Sequence, residues 1–120
     1  MGWLTKIFGA LSPRSDWPPG KSPAELLSAG GVLIDVRSKA EFAAGHIEGA
    51  LWLPLDRIQR DIAAAVPDRD RTLILYCRSG ARSGRARSAI ARLGYHNALN
   101  GGGIRSLAAA LGRPITKPRR

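Results

Sequence analysis

The chain has 120 residues, 44% of them hydrophobic, a formal net charge of +10, one cysteine and two histidines. That length supports one domain with a real core and not two, and no apolar run approaches the roughly 20 residues a membrane-spanning helix needs. A lone cysteine excludes an internal disulfide and, with His46 and His96 far from it in sequence, leaves no zinc-ligand spacing and no metal or cofactor to expect.

Near the start, Trp3, Leu4, Ile7, Phe8 and Leu11 fall on one helical face. This face is expected to dock on the domain or on a neighbouring chain, with peripheral membrane contact through residues 3–11 as the alternative. The apolar stretch is too short for a secretory signal, and Lys6 replaces the Ser or Thr of a myristoylation pattern, so a cytoplasmic protein is expected. Residues 12–20 read as a Pro-rich linker, which closes an N-terminal segment at 1–20. Ser22-Pro23-Ala24-Glu25 has the capping chemistry of a helix start, and that helix should run to Ser28 and end at Gly30-Gly31.

Val32–Val36 is an apolar, β-branched run of the kind buried on both faces in parallel sheets. A short helix from Ser38 to Ala44 ends at Gly45, and Ala50–Leu53 forms a second strand closed by Pro54. Leu55, Ile58, Ile62 and Val66 mark a helix stopped by Pro67. Thr72–Tyr76 is the clearest strand. Ser83–Leu93 is a helix whose core side carries Ala86, Ile90 and Leu93. Asn97–Leu99 is a last short strand, Asn100–Gly103 a turn, and Ile104–Leu111 a closing helix. The expected class is α/β, with a mostly parallel central sheet of about five short strands and helices on both faces. The domain body is placed at 21–112 and a basic tail at 113–120.

The unit that carries chemistry is a strand, a cysteine-led loop and a helix. Cys77 stands at the carboxyl end of a central strand, where open α/β sheets bind ligands. The following helix turns its N-terminus back on the thiol, and Arg78 and Arg82 add positive charge. A free thiol is only about 3% thiolate at pH 7; a depression of about two units would make it roughly three-quarters thiolate. Ser79 and Gly80 let the loop, which runs on through Ala81, curl so that its N–H groups converge on one point. The plain alternative is a buried, inert cysteine ending a strand. Asp35, Arg37 and Glu41 are expected to form an ion-pair network fixing the first strand to its helix, and His46 to be a hydrogen-bonded structural histidine. From Arg71 onward there are eleven Lys or Arg and no acidic residue, so this half of the chain should attract anions.

At these residues the chain resembles the rhodanese family, over about residues 22 to 112. Leu33-Ile34-Asp35-Val36-Arg37, then Glu41-Phe42 and Gly45-His46-Ile47-Glu48-Gly49-Ala50, are similar to its two upstream signatures. Tyr76 through Ser83 resembles its active-site loop, and Gly101-Gly102 its C-terminal signature. The resemblance implies a rhodanese-like fold and a thiosulfate sulfurtransferase in which Cys77 accepts sulfur as a persulfide. It also implies that backbone N–H groups of residues 78 to 82 stabilise the persulfide and that Arg78 and Arg82 bind an anionic donor such as thiosulfate. A thiol or a partner protein then takes the sulfur.

A carrier or docking module of the same family is the second reading. The third, a phosphatase or arsenate reductase, needs an arginine after Cys and five residues; here Arg82 follows after four and Ser83 occupies that place. Nucleic acid is not an expected partner, because Arg85, Arg87 and Arg92 do not share one helical face and no aromatics interleave them.

Overall fold

Two continuous apolar runs, Val32–Asp35 (β1) and Leu73–Cys77 (β4), pair in parallel at the centre of the sheet. The structure is a computed structural model that describes residues 17–118. The apolar face read over residues 3–11 lies outside the described residues. In chain order the other elements are α1 (Pro23–Ser28), α2 (Lys39–Ala44), β2 (His46–Ile47), β3 (Leu51–Trp52), α3 (Ile58–Ala65), α4 (Ala81–Ala91), β5 (Ala98–Gly103), α5 (Ile104–Leu111) and β6 (Ile115–Thr116). The main sheet has four parallel strands in the order β3-β1-β4-β5.

Both faces of that sheet are covered, which is why its central strands lack a polar face. Ile34 and Val36 of the first strand region and Leu73, Leu75 and Cys77 of β4 pack with Ile58 and Ile62 of α3 and Ala86 and Ile90 of α4. On the opposite face Leu33, Ile74 and Tyr76 pack with Leu26 of α1 and Leu107 and Ala108 of α5. The expected α/β class, with helices on both faces, is the observed one.

Local chemistry sets the helix starts. Ser22 and Glu25 form a reciprocal capping box at α1, with Pro23 at the first helical position. Ser38 and Glu41 form a second at α2. Several boundaries differ from the sequence reading; α4, for one, starts at Ala81 rather than at Ser83. Leu93 is 38% exposed, because α4 ends at Ala91 and the chain turns so that Tyr95, fully buried, fills the core instead. The glycine run read as a turn continues β5, and Gly103 pairs with Cys77. A side chain at Gly103 would put its Cβ 2.7 Å from the Arg78 carbonyl oxygen, so only glycine allows this close approach. Finally, Ile115-Thr116, read as tail, pairs antiparallel with His46-Ile47.

Candidate active site

The site forms where β4 runs into α4. Cys77 closes the strand, and the chain reverses through Arg78-Ser79-Gly80 before the helix begins at Ala81. Gly80 makes the reversal at φ 105°, a left-handed conformation suited to glycine. Its N–H then donates to Cys77 Sγ at 2.9 Å. Ser83, on the first turn of α4 and fully buried, places its Oγ 3.5 Å from the same sulfur.

These groups decide the electrostatics of the thiol. Burial pushes Cys77 up, but hydrogen bonds from the Ser83 side chain and from the amides of Ser83, Ser79 and Gly80 outweigh it, and the thiol sits below its ordinary value. Arginine charge, the stabiliser anticipated from the sequence, is not among the principal causes. The residue is only 1% exposed, so the thiol is buried, and its donors rather than its exposure set it apart.

The arginines around the loop divide into two kinds. Arg82 gives both terminal nitrogens to Glu41, at 2.6 and 2.9 Å. That pair holds the Glu41 carboxyl down at about 2. Glu41 thereby closes the first turn of α2 and anchors the end of the loop together. Arg37 is likewise committed. It clasps the fully buried Asp35 through Nε and Nη2 and donates to the Gly45 carbonyl at 2.6 Å. The single network expected of Asp35, Arg37 and Glu41 is therefore two separate pairs. Asp35–Arg37 ties β1 to the end of α2, and Glu41–Arg82 ties the start of α2 to the loop.

Arg78 is exposed and has no ion-pair partner among the described residues. It shares a cavity of about 350 Å³ with Arg105, Ile104, Glu41 and Arg37. Arg105 too has no partner among the described residues. The His46 ring stacks on Phe42 at 3.8 Å, with Nδ1 3.1 Å from the Phe42 carbonyl oxygen. Farther along α4, Arg87 turns to the Ala98 carbonyl, whereas Arg85 and Arg92 line one shallow groove. Among the described residues there is no cluster of metal-ligating side chains, and no helix is long and apolar enough to cross a membrane.

Sequence reasoning gave no role at the site to the side chains of Ser83, Asn100 and Arg105. Ser83 left a signal: it precedes Ala86 by three and Ile90 by seven, so a polar residue sits on the buried stripe of α4. Asn100 left none, since Asn before glycines is ordinary turn chemistry. Its Oδ1 accepts from Ser83 Oγ at 2.7 Å and its Nδ2 donates to the Gly80 carbonyl at 3.0 Å.

Three comparisons bear on this arrangement. The family described as Rhodanese-like domain matches residues 22–110. A protein of Allochromatium vinosum named Sulfurtransferase is 42% identical over 88 residues, covering 72% of this chain and 79% of that protein. Thiosulfate sulfurtransferase PspE of Escherichia coli is 37% identical over 75 residues, covering 62% of this chain and 72% of that protein. A solved structure described as rhodanese with anions from E. coli superposes with a TM-score of 0.66 at 32% identity, over 74% of this chain and 100% of that one.

Proposed function

Because the chain belongs to the rhodanese-like family, we propose that it is a sulfurtransferase that carries sulfane sulfur on Cys77. The observation that carries the reading is that the Gly80 N–H donates to the Cys77 sulfur at 2.9 Å and the Ser83 hydroxyl lies 3.5 Å from it at the end of β4. Such donors favour a thiolate, which is the nucleophilic form. The relatives named for sulfur transfer support the reaction class.

In the first step the Cys77 thiolate attacks the outer sulfur of thiosulfate. A new S–S bond forms, the old one breaks, and its electron pair leaves with sulfite. Cys77 then holds a persulfide whose negative charge rests on the terminal sulfur. In the second step a nucleophile, cyanide in the test tube or a thiol on a partner, bonds to the terminal sulfur and Cys77 leaves as thiolate. With one cysteine in the chain, the acceptor comes from outside it.

The anionic end of the donor is assigned to Arg78 and Arg105. Of the four arginines beside the loop, Arg37 and Arg82 are taken by Asp35 and Glu41, which leaves Arg78 and Arg105, both lining the 350 Å³ cavity. Gly103 brings the start of α5 against the Arg78 backbone and so sets Arg105 near the loop. Arg82 acts by holding the loop rather than by binding the donor.

Thiosulfate:cyanide turnover tests the reading. Wild type is expected to release one sulfite per chain in a burst without acceptor, and Cys77→Ser none; turnover by the serine variant would overturn it. Arg105→Gln is expected to raise KM for thiosulfate about tenfold with kcat little changed, the effect of losing one hydrogen bond to a charged group. An unchanged KM would remove Arg105 from the donor site.

A further inference from the structure

Beside the thiol, one hydroxyl proton faces more than one acceptor. Ser83 has a single O–H and is fully buried. Its oxygen lies 2.7 Å from Asn100 Oδ1, 3.2 Å from the Gly80 carbonyl oxygen and 3.5 Å from Cys77 Sγ. The Gly80 carbonyl already receives Asn100 Nδ2. The contest is between Asn100 and the sulfur.

The backbone settles which way the Asn100 amide points. The Gly102 N–H donates to its Oδ1 at 3.0 Å, and the Gly80 carbonyl accepts from its Nδ2 at 3.0 Å. A flipped amide would set donor against donor and acceptor against acceptor. The oxygen facing Ser83 is thus a fixed acceptor at the shortest of the three distances.

We propose that Asn100 is a positioning residue for sulfur transfer: it holds the Ser83 proton while the Cys77 sulfur is neutral and yields it when that sulfur becomes a thiolate. This rests on the sulfurtransferase reading. A thiol sulfur, or the inner sulfur of a persulfide, is a weak acceptor, so the proton stays on the Asn100 side. When the outer sulfur departs and Cys77 is left as a thiolate, a rotation about the Ser83 Cβ–Oγ bond turns the same proton onto it. The hydroxyl then stabilises the leaving thiolate of the second step without deepening the resting state of the loaded one.

The sign follows from this competition. Asn100 favours the neutral sulfur, and Ser83 favours the charged one. Asn100→Ala is therefore expected to lower the Cys77 pKa and Ser83→Ala to raise it, each by on the order of half to one pH unit, the worth of a neutral hydrogen bond. In a Ser83→Ala background, Asn100→Ala should cause no further shift, since the contested proton is gone. A merely structural Asn100, bracing the loop through Gly80, would instead raise the pKa when removed and do so in either background.

The test is a titration of thiolate ultraviolet absorbance, unambiguous in a chain with one cysteine, together with the pH profile of alkylation by iodoacetamide. A fall with Asn100→Ala that vanishes in the double variant supports the proposal; an unchanged or raised value, or a shift that persists without Ser83, overturns it. Should Asn100→Ala not fold, Asn100→Asp retains the acceptor and adds charge; it must raise the pKa, and a lowered or unchanged value overturns the proposal. The titration needs no turnover. Normal sulfur transfer with unshifted titration sinks only the role of Asn100, and shifted titration in a protein that transfers no sulfur sinks the functional reading.

Discussion

At the scale of single residues, two carboxylates sort the arginines. Asp35 is wholly buried and accepts from Arg37 through its backbone N–H, Nε and Nη2. Glu41, half-buried, accepts from Arg82. A buried pair contributes little compared with an apolar replacement, yet breaking it leaves an uncompensated charge in a dry site. Asp35→Asn is thus expected to destabilise the fold by about 3–5 kcal/mol, read as a lower urea midpoint; an unmoved midpoint would show that Arg37 finds another partner. Cys77 itself was legible, because a strand-ending cysteine before an arginine-flanked loop and a helix is an unusual local pattern. The division between Arg78 and Arg82 was not. It depends on Glu41, which is 41 residues away in the chain and is brought to Arg82 only by the packing of α2 on the loop. The same holds for Ser83 and Asn100, whose partnership spans α4 and β5.

At the scale of elements, the helices and the two central strands follow from local signals: capping boxes at Ser22 and Ser38, apolar β-branched runs at β1 and β4, and proline stops. What escaped was anything stabilised from a distance. The glycine end of β5, residues 100–103, reads as a turn because its glycines carry no side-chain pattern, and the reason for strand there is the pairing with β4. β2 and β6 are two residues each and exist only through each other. The β5–loop contact makes a sharp prediction. Gly103→Ala places a Cβ 2.7 Å from the Arg78 backbone oxygen, in the loop that follows Cys77. It is expected to cost about 1–3 kcal/mol, the usual penalty of overpacking, seen in thermal melting, and to depress turnover more than a distant variant of equal stability. Unaltered melting and turnover would mean that the loop shifts freely.

At the scale of the whole molecule, charge and topology act together. All acidic residues lie at or before Asp70, while α4, α5 and the loops between β4 and α5 carry only basic charges. The site is built at the carboxyl end of β4, inside the basic half, so its field favours dianions over neutral donors. The ratio of kcat/KM for thiosulfate to that for an uncharged sulfane donor is expected to fall several-fold between about 0.01 M and 0.15 M salt, as the screening length contracts from about 30 to 8 Å. A salt-independent ratio would confine selection to direct contact. This asymmetry was readable from composition alone; that it surrounds the thiol required the strand order.

The Glu41 carboxylate has two clients, the amide of Ser38 that starts α2 and the guanidinium of Arg82 that ends the sulfur loop. Fraying of that short helix and release of the loop are consequently one opening, not two. A fluctuation in an outlying turn of six residues is transmitted to the loop around the Cys77 sulfur through a single side chain.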